Sequence, residues 1–330
     1  MSWEGSTVLV TGAAGFVGSH LTERLVGLGA RVKAFVRYNS RNDWGLLELL
    51  PKDRLKEVEV ILGDLRDGDA IGGAVEGVNI IFHLGALIAI PYSYIHPRET
   101  IETNVMGTLT VMTAARRSGI QRIVHTSTSE VYGTAKYVPI DEHHPLQGQS
   151  PYSASKIGAD MVAESFYRSF SLPVSTIRPF NTFGPRQSAR AVIPTIVTQA
   201  LAASPKVFLG SLHPTRDYTY VDDVVDAFIK VAESEHSIGE TVNIGSNFEI
   251  SIGDIARKVI ASVDPAKQVC ADSRRLRPDK SEVERLWCDN GKAKRLLAWE
   301  PRVNFEEGLS RTIEWISAHR HLYKTDLYNV

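Results

Sequence analysis

Short runs of Val, Ile and Leu alternate with longer stretches of mixed polarity along the first half of the chain. Continuous apolar runs of this length are typical of parallel strands that are covered on both faces. The predicted strands are Thr7–Thr11, Arg31–Val36, Glu59–Leu62, Asn79–His83, Arg122–Thr126 and Pro173–Arg178. Helical patterns lie between several of them, at Gly15–Gly27, Arg98–Ser118 and Tyr152–Phe170. With right-handed crossovers, this order predicts an α/β fold built on a doubly wound parallel sheet.

The pattern changes after about Pro179, where Pro and Gly become frequent and the apolar runs shorten. Further helical patterns occur at Asp222–Ala232, Ser251–Val263 and Phe305–Ser317. We therefore predict a sheet domain at residues 1–178 and a smaller mixed α/β region at residues 179–330 that closes over the carboxyl ends of the strands. We expect the chain to cross between the two, so that no single boundary separates them.

The composition is that of an ordinary globular protein. Of 330 residues, 43% are hydrophobic and 23% are charged, and 37 Lys and Arg nearly balance 38 Asp and Glu. This balance does not favour nucleic acid as a partner. The most apolar run, around Val78 to Tyr92, is too short to span a membrane. Because there are only two cysteines and no signal-peptide pattern, we expect a cytoplasmic protein without disulfides.

A glycine-rich turn follows the first predicted strand. Gly12, Gly15 and Gly18 form a GxxGxxG pattern, with Phe16 and Val17 in the first turn of the helix that it opens. Glycines here permit a tight turn and a close approach of backbone N–H groups to a pyrophosphate, and the helix N-terminus adds positive charge. In this strand–turn–helix context, the motif predicts the dinucleotide site of a Rossmann sheet rather than a plain glycine-rich turn.

The second and third strands end in residues that bear on the choice of dinucleotide. Arg37 stands about where an acidic residue would bind the adenosine ribose, and a cation there suits a 2′-phosphate. Of NAD and NADP, the sequence therefore favours NADP, although a solvated loop arginine is the alternative. Asp64 and Leu65 follow the third strand, where they can touch the adenine; a helix cap is the alternative for Asp64.

A YxxxK pattern opens the helical segment at Tyr152. The spacing of four residues places Tyr152 and Lys156 on one face of the helix. We expect the ammonium group of Lys156 to lower the pKa of the Tyr152 phenol, so that Tyr152 can act as a base, and to hold the nicotinamide ribose.

The fifth predicted strand ends in Thr128, Ser129 and Glu130. Ligands bind outside the carboxyl ends of strands in open α/β sheets, which places all three residues in the predicted crevice. Thr128 can hydrogen-bond the substrate hydroxyl that Tyr152 deprotonates. A buried carboxylate without a purpose is costly, so we predict a catalytic role for Glu130, with a surface or helix-cap position as the alternative.

Together these motifs resemble the extended short-chain dehydrogenase/reductase superfamily over essentially the whole chain. The resemblance rests on the glycine motif and on the strings STSEVYG, YSASK, RPFNTFGPR and RDYTYVDD. Within that superfamily the chain is most similar to nucleotide-sugar 4,6-dehydratases. The strings LGALIAIPYSY, STSEVYGTA and RQSARAVIPT resemble the N-acetylglucosamine-nucleotide (GDP or UDP) 4,6-dehydratase of legionaminic-acid pathways.

The resemblance implies a reaction and assigns roles to residues. Tyr152 would remove the O4 proton as hydride leaves C4, Glu130 would take the C5 proton, and the hydride would return to C6 after water is lost. The product would be a 4-keto-6-deoxy sugar. The dTDP-glucose dehydratases have Asp where Ser129 stands, so either Glu130 acts twice or a water molecule held by Ser129 relays the proton. We also expect Leu84 and Ala86, after the fourth strand, to contact the cofactor.

The nucleotide-diphosphate sugar is expected to contact the C-terminal half. Arginine forks match diphosphate oxygens, and the resemblance implies this role for Arg216 and Arg277, with Arg190 a weaker candidate. Asn181 matches a family residue that contacts the phosphates or the sugar. The segment Pro91–Tyr94, with Tyr92 as the candidate contact, either lines the sugar pocket, where aromatic faces can cover the ring, or simply packs.

Three other functions remain open at this point. A UDP-glucuronate decarboxylase or a nucleotide-sugar 4-epimerase would share most of these motifs, and a non-catalytic NADP-binding regulator would keep the glycines alone. His83 and His125 are interpreted as core histidines, and no spacing of carboxylates and histidines demands a metal. The resemblance further implies a homodimer that packs through helices Arg98–Ser118 and Tyr152–Phe170.

Overall fold

The protein is represented by a computed structural model that describes residues 2–324. The strands are β1 (Thr7–Thr11), β2 (Arg31–Arg37), β3 (Val58–Gly63), β4 (Ile80–His83), β5 (Arg122–Thr126), β6 (Val174–Pro179), β7 (Asn181–Phe183), β8 (Lys206–Leu209), β9 (Thr215–Tyr220), β10 (Thr241–Ile244), β11 (Glu249–Ser251), β12 (Gln268–Ala271) and β13 (Arg285–Leu286). The α-helices are α1 (Phe16–Gly27), α2 (Lys52–Leu55), α3 (Gly68–Ala74), α4 (Ile90–Ile95), α5 (Pro97–Ile101), α6 (Gly107–Ser118), α7 (Pro151–Phe170), α8 (Val192–Ala200), α9 (Val221–Glu233), α10 (Ile252–Val263), α11 (Gly291–Leu297) and α12 (Phe305–Ala318).

Seven parallel strands form the large sheet, in the order β3-β2-β1-β4-β5-β6-β10. Side chains alternate between its two faces. In β1, Val8 and Val10 join the core cluster that contains α1 and α9, whereas Leu9 joins the cluster that contains α3, α6 and α7. Both faces are therefore covered by helices, and the predicted doubly wound Rossmann sheet is confirmed. The order of the strands reverses between β1 and β4, which opens a crevice at their carboxyl ends.

The observed elements follow the predicted ones closely, but the sequence pattern did not identify the seventh strand of the sheet. Strand β10 pairs with β6 in parallel, with Val242 opposite Ile177, and α9 packs against β5 and β6. Both elements come from the region after residue 178. The chain thus leaves the large sheet after β6, returns to it for α9 and β10, and leaves again.

A smaller sheet gathers around β9 in the C-terminal half. Strand β9 pairs in parallel with β7 and β13 and antiparallel with β11, while β8 and β12 form a separate parallel ribbon. Asn181 lies opposite Tyr218, and side chains two residues apart on a strand share a face. This register therefore places Asn181, Arg216 and Tyr218 on one face of the smaller sheet.

Helices α5 and α6 are joined end to end by a π-helical turn at Glu102–Met106. The sequence pattern predicted one helix over this region without the turn. Such turns are rare and occur often at functional sites, and this one contains the buried residue Asn104. No helix within residues 2–324 has both the length and the apolar character to span a bilayer.

Candidate active site

The glycine-rich turn lies at the crevice between β1 and β4. Gly12 has φ +72°, and a Cβ atom on it would lie 2.8 Å from the backbone nitrogen of Gly85. A Cβ atom on Gly18 would lie 2.2 Å from the carbonyl oxygen of Gly12. Both positions therefore require glycine. No side chain caps α1, whose N-cap is Gly15, so its first N–H groups, at Phe16 and Val17, are available to an anion.

The ends of β2 and β3 carry charged groups that are already paired. The guanidinium of Arg37, at the end of β2, is 66% exposed and lies 3.4 Å from the carboxylate of Glu99. Asp64 accepts hydrogen bonds from the side chain of Arg66. These bonds are the main reason why the pKa of Asp64 falls to about 2. Helix α3 is capped by Asp67 instead, so the alternative interpretation of Asp64 as that helix cap is wrong.

The loop after β4 closes the crevice on its other side. This loop contains Leu84 and Ala86, and its backbone is held by Asn104: the Asn104 side chain accepts from the N–H of Leu87 at 2.7 Å and donates to the Leu87 carbonyl at 2.9 Å. Asn104 also donates to Ser155 on α7 at 2.9 Å. The π turn thus connects the predicted cofactor loop to the helix that carries Tyr152, a function that the sequence pattern did not reveal.

The predicted catalytic residues converge where β5 ends and α7 begins. Thr128 caps the short 3-10 turn of Ser129 and Glu130, and it hydrogen-bonds the Tyr152 phenol. Burial raises the pKa of Tyr152, the Thr128 bond lowers it, and the nearby Glu130 carboxylate raises it further. The Glu130 carboxylate therefore lies within electrostatic reach of the Tyr152 phenol.

Lys156 does not have the electrostatic effect expected from the YxxxK spacing. Its ammonium group donates to the carbonyl of Thr126 at 2.6 Å and is not among the groups that lower the pKa of Tyr152. Burial lowers the pKa of Lys156 itself to about 8, an effect that the charge of Asp160 opposes. Below that pH the site keeps its cation.

Asp160 lies one further turn along α7 and organises the region behind the catalytic residues. Its buried carboxylate accepts from Ser127 at 2.6 Å, from Nε2 of His125 at 3.0 Å and from Arg178 at 3.0 Å. Burial raises the pKa of Asp160, but the His125 bond and the charge of Arg178 outweigh this and bring it to about 2. The network ties α7 to β5 and β6.

The network continues to the strand that joins the sheet last. Arg178 donates to the hydroxyl of Tyr132 at 3.0 Å, and Tyr132 donates to the side chain of Asn243 on β10 at 2.7 Å. Tyr132 lies two residues after Glu130, so the same contacts fix the turn that carries the Glu130 carboxylate. His125 and His83 are core histidines, as predicted: the His83 ring nitrogens lie within 3.0 Å of the hydroxyls of Thr11 and Thr108.

A cavity of about 500 Å³ is lined by residues of α4 and of the C-terminal half. The predicted catalytic residues at the end of β5 and the start of α7 are not part of its wall. Of the predicted substrate contacts, the structure places Asn181, Arg190, Arg216 and Arg277 in its wall. Arg216 and Arg277 both approach the carboxylate of Glu282, each at 3.5 Å. Sequence reasoning did not identify Glu282, because a carboxylate between two arginines gives no pattern in the chain.

Of the predicted segment Pro91–Tyr94, Pro91 and Tyr94 line this cavity, whereas Tyr92 does not. The Tyr92 hydroxyl donates to Glu99 at 2.6 Å, on the side where Arg37 lies. Two residues further on, Tyr94 lines the cavity, and its hydroxyl lies 2.7 Å from that of Ser281. The helical turn of α4 explains this difference, because residues two apart on a helix point in different directions.

In residues 2–324, no cluster of three or more His, Cys, Asp or Glu side chains is arranged to hold a metal ion.

Comparison with known proteins places this site in context. The family model described as GDP-mannose 4,6 dehydratase matches residues 9–312. The UDP-glucose 4-epimerase of Mycolicibacterium smegmatis is 34% identical over 314 residues, which cover 93% of this chain and 97% of that protein.

Two solved structures extend the comparison. The epimerase Mth375 of Methanothermobacter thermautotrophicus superimposes with a TM-score of 0.87 at 30% identity, covering 97% of this chain and 94% of that one. The dTDP-glucose 4,6-dehydratase DesIV of Streptomyces venezuelae, solved with NAD, gives 0.84 at 30% identity, covering 96% and 99%. The similar proteins thus include both epimerases and dehydratases.

Proposed function

Because the chain belongs to the GDP-mannose 4,6 dehydratase family, we propose that this enzyme is a nucleotide-sugar 4,6-dehydratase. The position of Glu130 is the observation that carries the proposal. Its charge acts on the phenols of both Tyr152 and Tyr218, and Tyr218 lines the cavity. A dehydratase needs a base for the C5 proton in addition to the base for the O4 proton, whereas a 4-epimerase needs only the latter. Glu130 can supply the additional base.

The residues of the site divide the proposed reaction between them. Tyr152 takes the O4 proton, and Thr128 hydrogen-bonds the same hydroxyl group. A dinucleotide held by the glycine turn and Lys156 would supply the hydride acceptor for C4 and the hydride donor for C6. The ketone at C4 makes the C5 proton acidic, and Glu130 takes that proton. The C6 hydroxyl leaves as water, a proton adds back at C5, and the products are one water and a 4-keto-6-deoxy sugar.

The proton that the leaving hydroxyl requires comes, in this proposal, from Glu130. Ser129 stands next to it and is buried, but a serine hydroxyl is a weak acid. A water molecule held by Ser129 is the alternative donor. Ser129→Ala separates the two: dehydration that persists in this variant supports Glu130 as the donor, and its loss supports the relay through Ser129.

The cofactor site fits a dinucleotide, because Cβ atoms would fill the approach at Gly12 and Gly18 and α1 presents an uncapped N-terminus. We propose NADP, held by the glycine turn, by Asp64 and Leu65, by Leu84 and Ala86, and by Lys156 at the nicotinamide ribose. Arg37 is exposed enough to leave Glu99 and pair with a 2′-phosphate. Titration calorimetry should show that Arg37→Ser weakens NADP but not NAD. Arg41→Ser, in the same loop, is the control, and equal losses for both dinucleotides would contradict the assignment.

For the substrate we propose GDP- or UDP-linked N-acetylglucosamine, which rests on the resemblance of the loops after β4, β5 and β7. The diphosphate would bind Arg216 and Arg277, with Asn181 and Arg190 at its edges. A 4-epimerase is the second candidate, favoured by the similarity to the Mycolicibacterium smegmatis enzyme. A UDP-glucuronate decarboxylase would need the glucuronate as substrate.

Mass spectrometry of the products tests the proposed function. Reactions contain GDP- or UDP-linked N-acetylglucosamine, glucose, mannose or glucuronate, in deuterated water. A dehydratase gives a sugar product that has lost one water and has gained a solvent deuterium at C5. When the substrate itself is deuterated at C4, the C4 deuterium appears at C6 of the product. Loss of CO2 from the glucuronate indicates a decarboxylase. An unchanged mass with inversion at C4 indicates an epimerase, and either result contradicts the proposal.

Substitution of the base then tests its role. Glu130→Gln should retain the substrate-dependent absorbance change of the bound dinucleotide, because Tyr152 still acts at O4, but should lose deuterium uptake at C5 and the loss of water. Glu164→Gln, an exposed carboxylate on α7, is the matched control and should behave as wild type. Full dehydration by Glu130→Gln would remove Glu130 from the mechanism. Tyr152→Phe should lose both steps.

We also propose a homodimer that packs through α5–α6 and α7. Three apolar side chains on these helices, Ile101, Met106 and Met161, are nearly half exposed. Exposed apolar groups clustered on adjacent helices are typical of an interface. A monomeric mass in light scattering at working concentration would contradict this.

A further inference from the structure

The hydroxyl of Tyr218 is buried and has no hydrogen-bond partner within residues 2–324. The side chain is 4% exposed, and its ring packs against Phe183 and Phe305, with centroids 6.1 Å and 6.0 Å away. Buried hydroxyl groups are almost always paired, and an unpaired one destabilises the fold. A phenylalanine would fill the same aromatic pocket without that cost, so the hydroxyl requires another explanation.

The position of this hydroxyl points to the substrate. Tyr218 lines the cavity that also contains Arg216 and Arg277. It lies opposite Asn181 on β7 and two residues after Arg216 on β9, so it shares the cavity wall and a strand face with the proposed diphosphate contacts. The charges of Arg216, Arg277 and Glu130 all act on its phenol.

The chemistry of the group limits what it can bind. Burial raises the pKa of Tyr218 to about 12, so the phenol keeps its proton at neutral pH and can donate it. The guanidinium groups of Arg216 and Arg277 contain only donors, so they cannot accept a hydrogen bond from the Tyr218 hydroxyl. Their positive charges attract anions into the cavity that all three residues line. A phosphate oxygen is both an anion and a strong acceptor, and hydrogen bonds to charged acceptors are stronger than neutral ones.

We propose that the Tyr218 hydroxyl donates a hydrogen bond to a phosphate oxygen of the nucleotide-diphosphate substrate. Tyr218 is then a substrate-binding residue in addition to Arg216 and Arg277. It exchanges a poorly satisfied hydroxyl in the free enzyme for a charge-assisted bond in the complex. This assignment rests on the proposed function, in that the substrate contains a diphosphate.

The test compares wild type with Tyr218→Phe, which removes the hydroxyl and leaves the ring. UDP and GDP are the probes in titration calorimetry, and the Tm of the free protein is measured in parallel. We expect the Kd of the bound nucleoside diphosphate to rise roughly ten- to a hundredfold, whereas the Tm stays the same or rises. Tyr132→Phe is the matched control for stability, because its hydroxyl is paired on both sides and its loss should lower the Tm.

The outcomes separate this inference from the function on which it rests. A wild type that binds UDP or GDP, together with an unchanged Kd in Tyr218→Phe, overturns the inference and leaves the function standing. A fall in the Tm of Tyr218→Phe also overturns it, because the hydroxyl would then have a structural partner. A wild type that binds neither nucleotide overturns both.

Discussion

Replacement of Asp160 by asparagine should destabilise the protein through the charges that it leaves behind. The Asp160 carboxylate accepts bonds from His125, Ser127 and Arg178, and the side chains of both Asp160 and Arg178 are almost fully buried. Asparagine keeps the shape but not the charge, so the guanidinium of Arg178 remains buried without a counter-ion. Removal of one partner from a buried ion pair costs about 3–5 kcal/mol.

Thermal unfolding at one fixed protein concentration measures this effect. For a chain of this size about 1 kcal/mol corresponds to roughly 2 °C, so Asp160→Asn should lower the Tm by roughly 6–10 °C. Glu164→Gln, one turn further along α7, is the matched control. It breaks an exposed pair with Arg168, which is worth about 0–1 kcal/mol.

A double-mutant cycle identifies the charge as the cause. Asp160→Asn combined with Arg178→Gln removes both charges, so its loss should be smaller than the sum of the single losses, with a coupling of about 0.5–3 kcal/mol. Additive losses would show that shape, not charge, explains the effect. A single-mutant loss equal to that of Glu164→Gln would refute the reasoning altogether.

The same substitution should also change the pH dependence of catalysis. The charge of Asp160 raises the pKa of Lys156, which burial lowers to about 8. Without that charge, Lys156 loses its proton at a lower pH, so the alkaline fall in activity should move towards neutral pH. His83 and His125, on which the charge of Lys156 acts, keep their identity in this variant. An alkaline limb at the wild-type pH would contradict the coupling between Asp160 and Lys156.

Three further predictions follow from single sites. Gly18→Ala should weaken dinucleotide binding at least tenfold in titration calorimetry, because its Cβ would meet the Gly12 carbonyl; Gly72→Ala, with open space around it, should bind normally and gain up to about 1 kcal/mol. The pKa of Lys156 in the folded protein lies below its unfolded value, so the protonated Lys156 destabilises the fold below about pH 8. This destabilisation disappears as the pH rises towards 10. A Lys156→Met variant whose Tm difference from wild type stays constant over this range would contradict the prediction. Burial raises the pKa of Asp217 to about 6, so the folded state binds its proton more tightly than the unfolded state does. This stabilisation, up to about 3 kcal/mol, is present below about pH 4 and is lost as the pH rises from about 4 to about 6. Asp217→Asn should flatten the pH dependence of the denaturation midpoint, and an unchanged slope would contradict the assignment.

The large sheet was predictable because strands that are buried on both faces require continuous apolar runs, and such runs are visible in the sequence. β1 and β5 have the predicted bounds, and α1 and α7 begin within one residue of their predicted starts. Strand β10 was not predictable. Its four residues, Thr241–Ile244, alternate between polar and apolar and form no continuous apolar run. Only the free edge of β6 makes them part of this sheet.

The candidate site divides in the same way. The glycine turn and the pair of Tyr152 and Lys156 could be found because their chemistry requires a fixed spacing along the chain. The roles of Asp160 and Tyr218 depend on contacts with residues of other helices and strands. Such contacts leave no fixed spacing in the sequence. The segment Pro91–Tyr94 illustrates the limit most directly: the sequence located the segment, but the turn of α4 decides that Tyr94 and not Tyr92 lines the cavity.

The π turn at Glu102–Met106 also sets a limit on how the length of this chain can vary. An α-helix rotates about 100° per residue, so deletion of one residue here would restore a regular helix and turn α5 by about that angle against α6. Asn104 would no longer reach both Leu87 and Ser155. A surface loop tolerates such a deletion, whereas this turn, whose buried Asn104 side chain connects two elements, does not. Variants that are one residue shorter should therefore be far rarer here than in the loops around it.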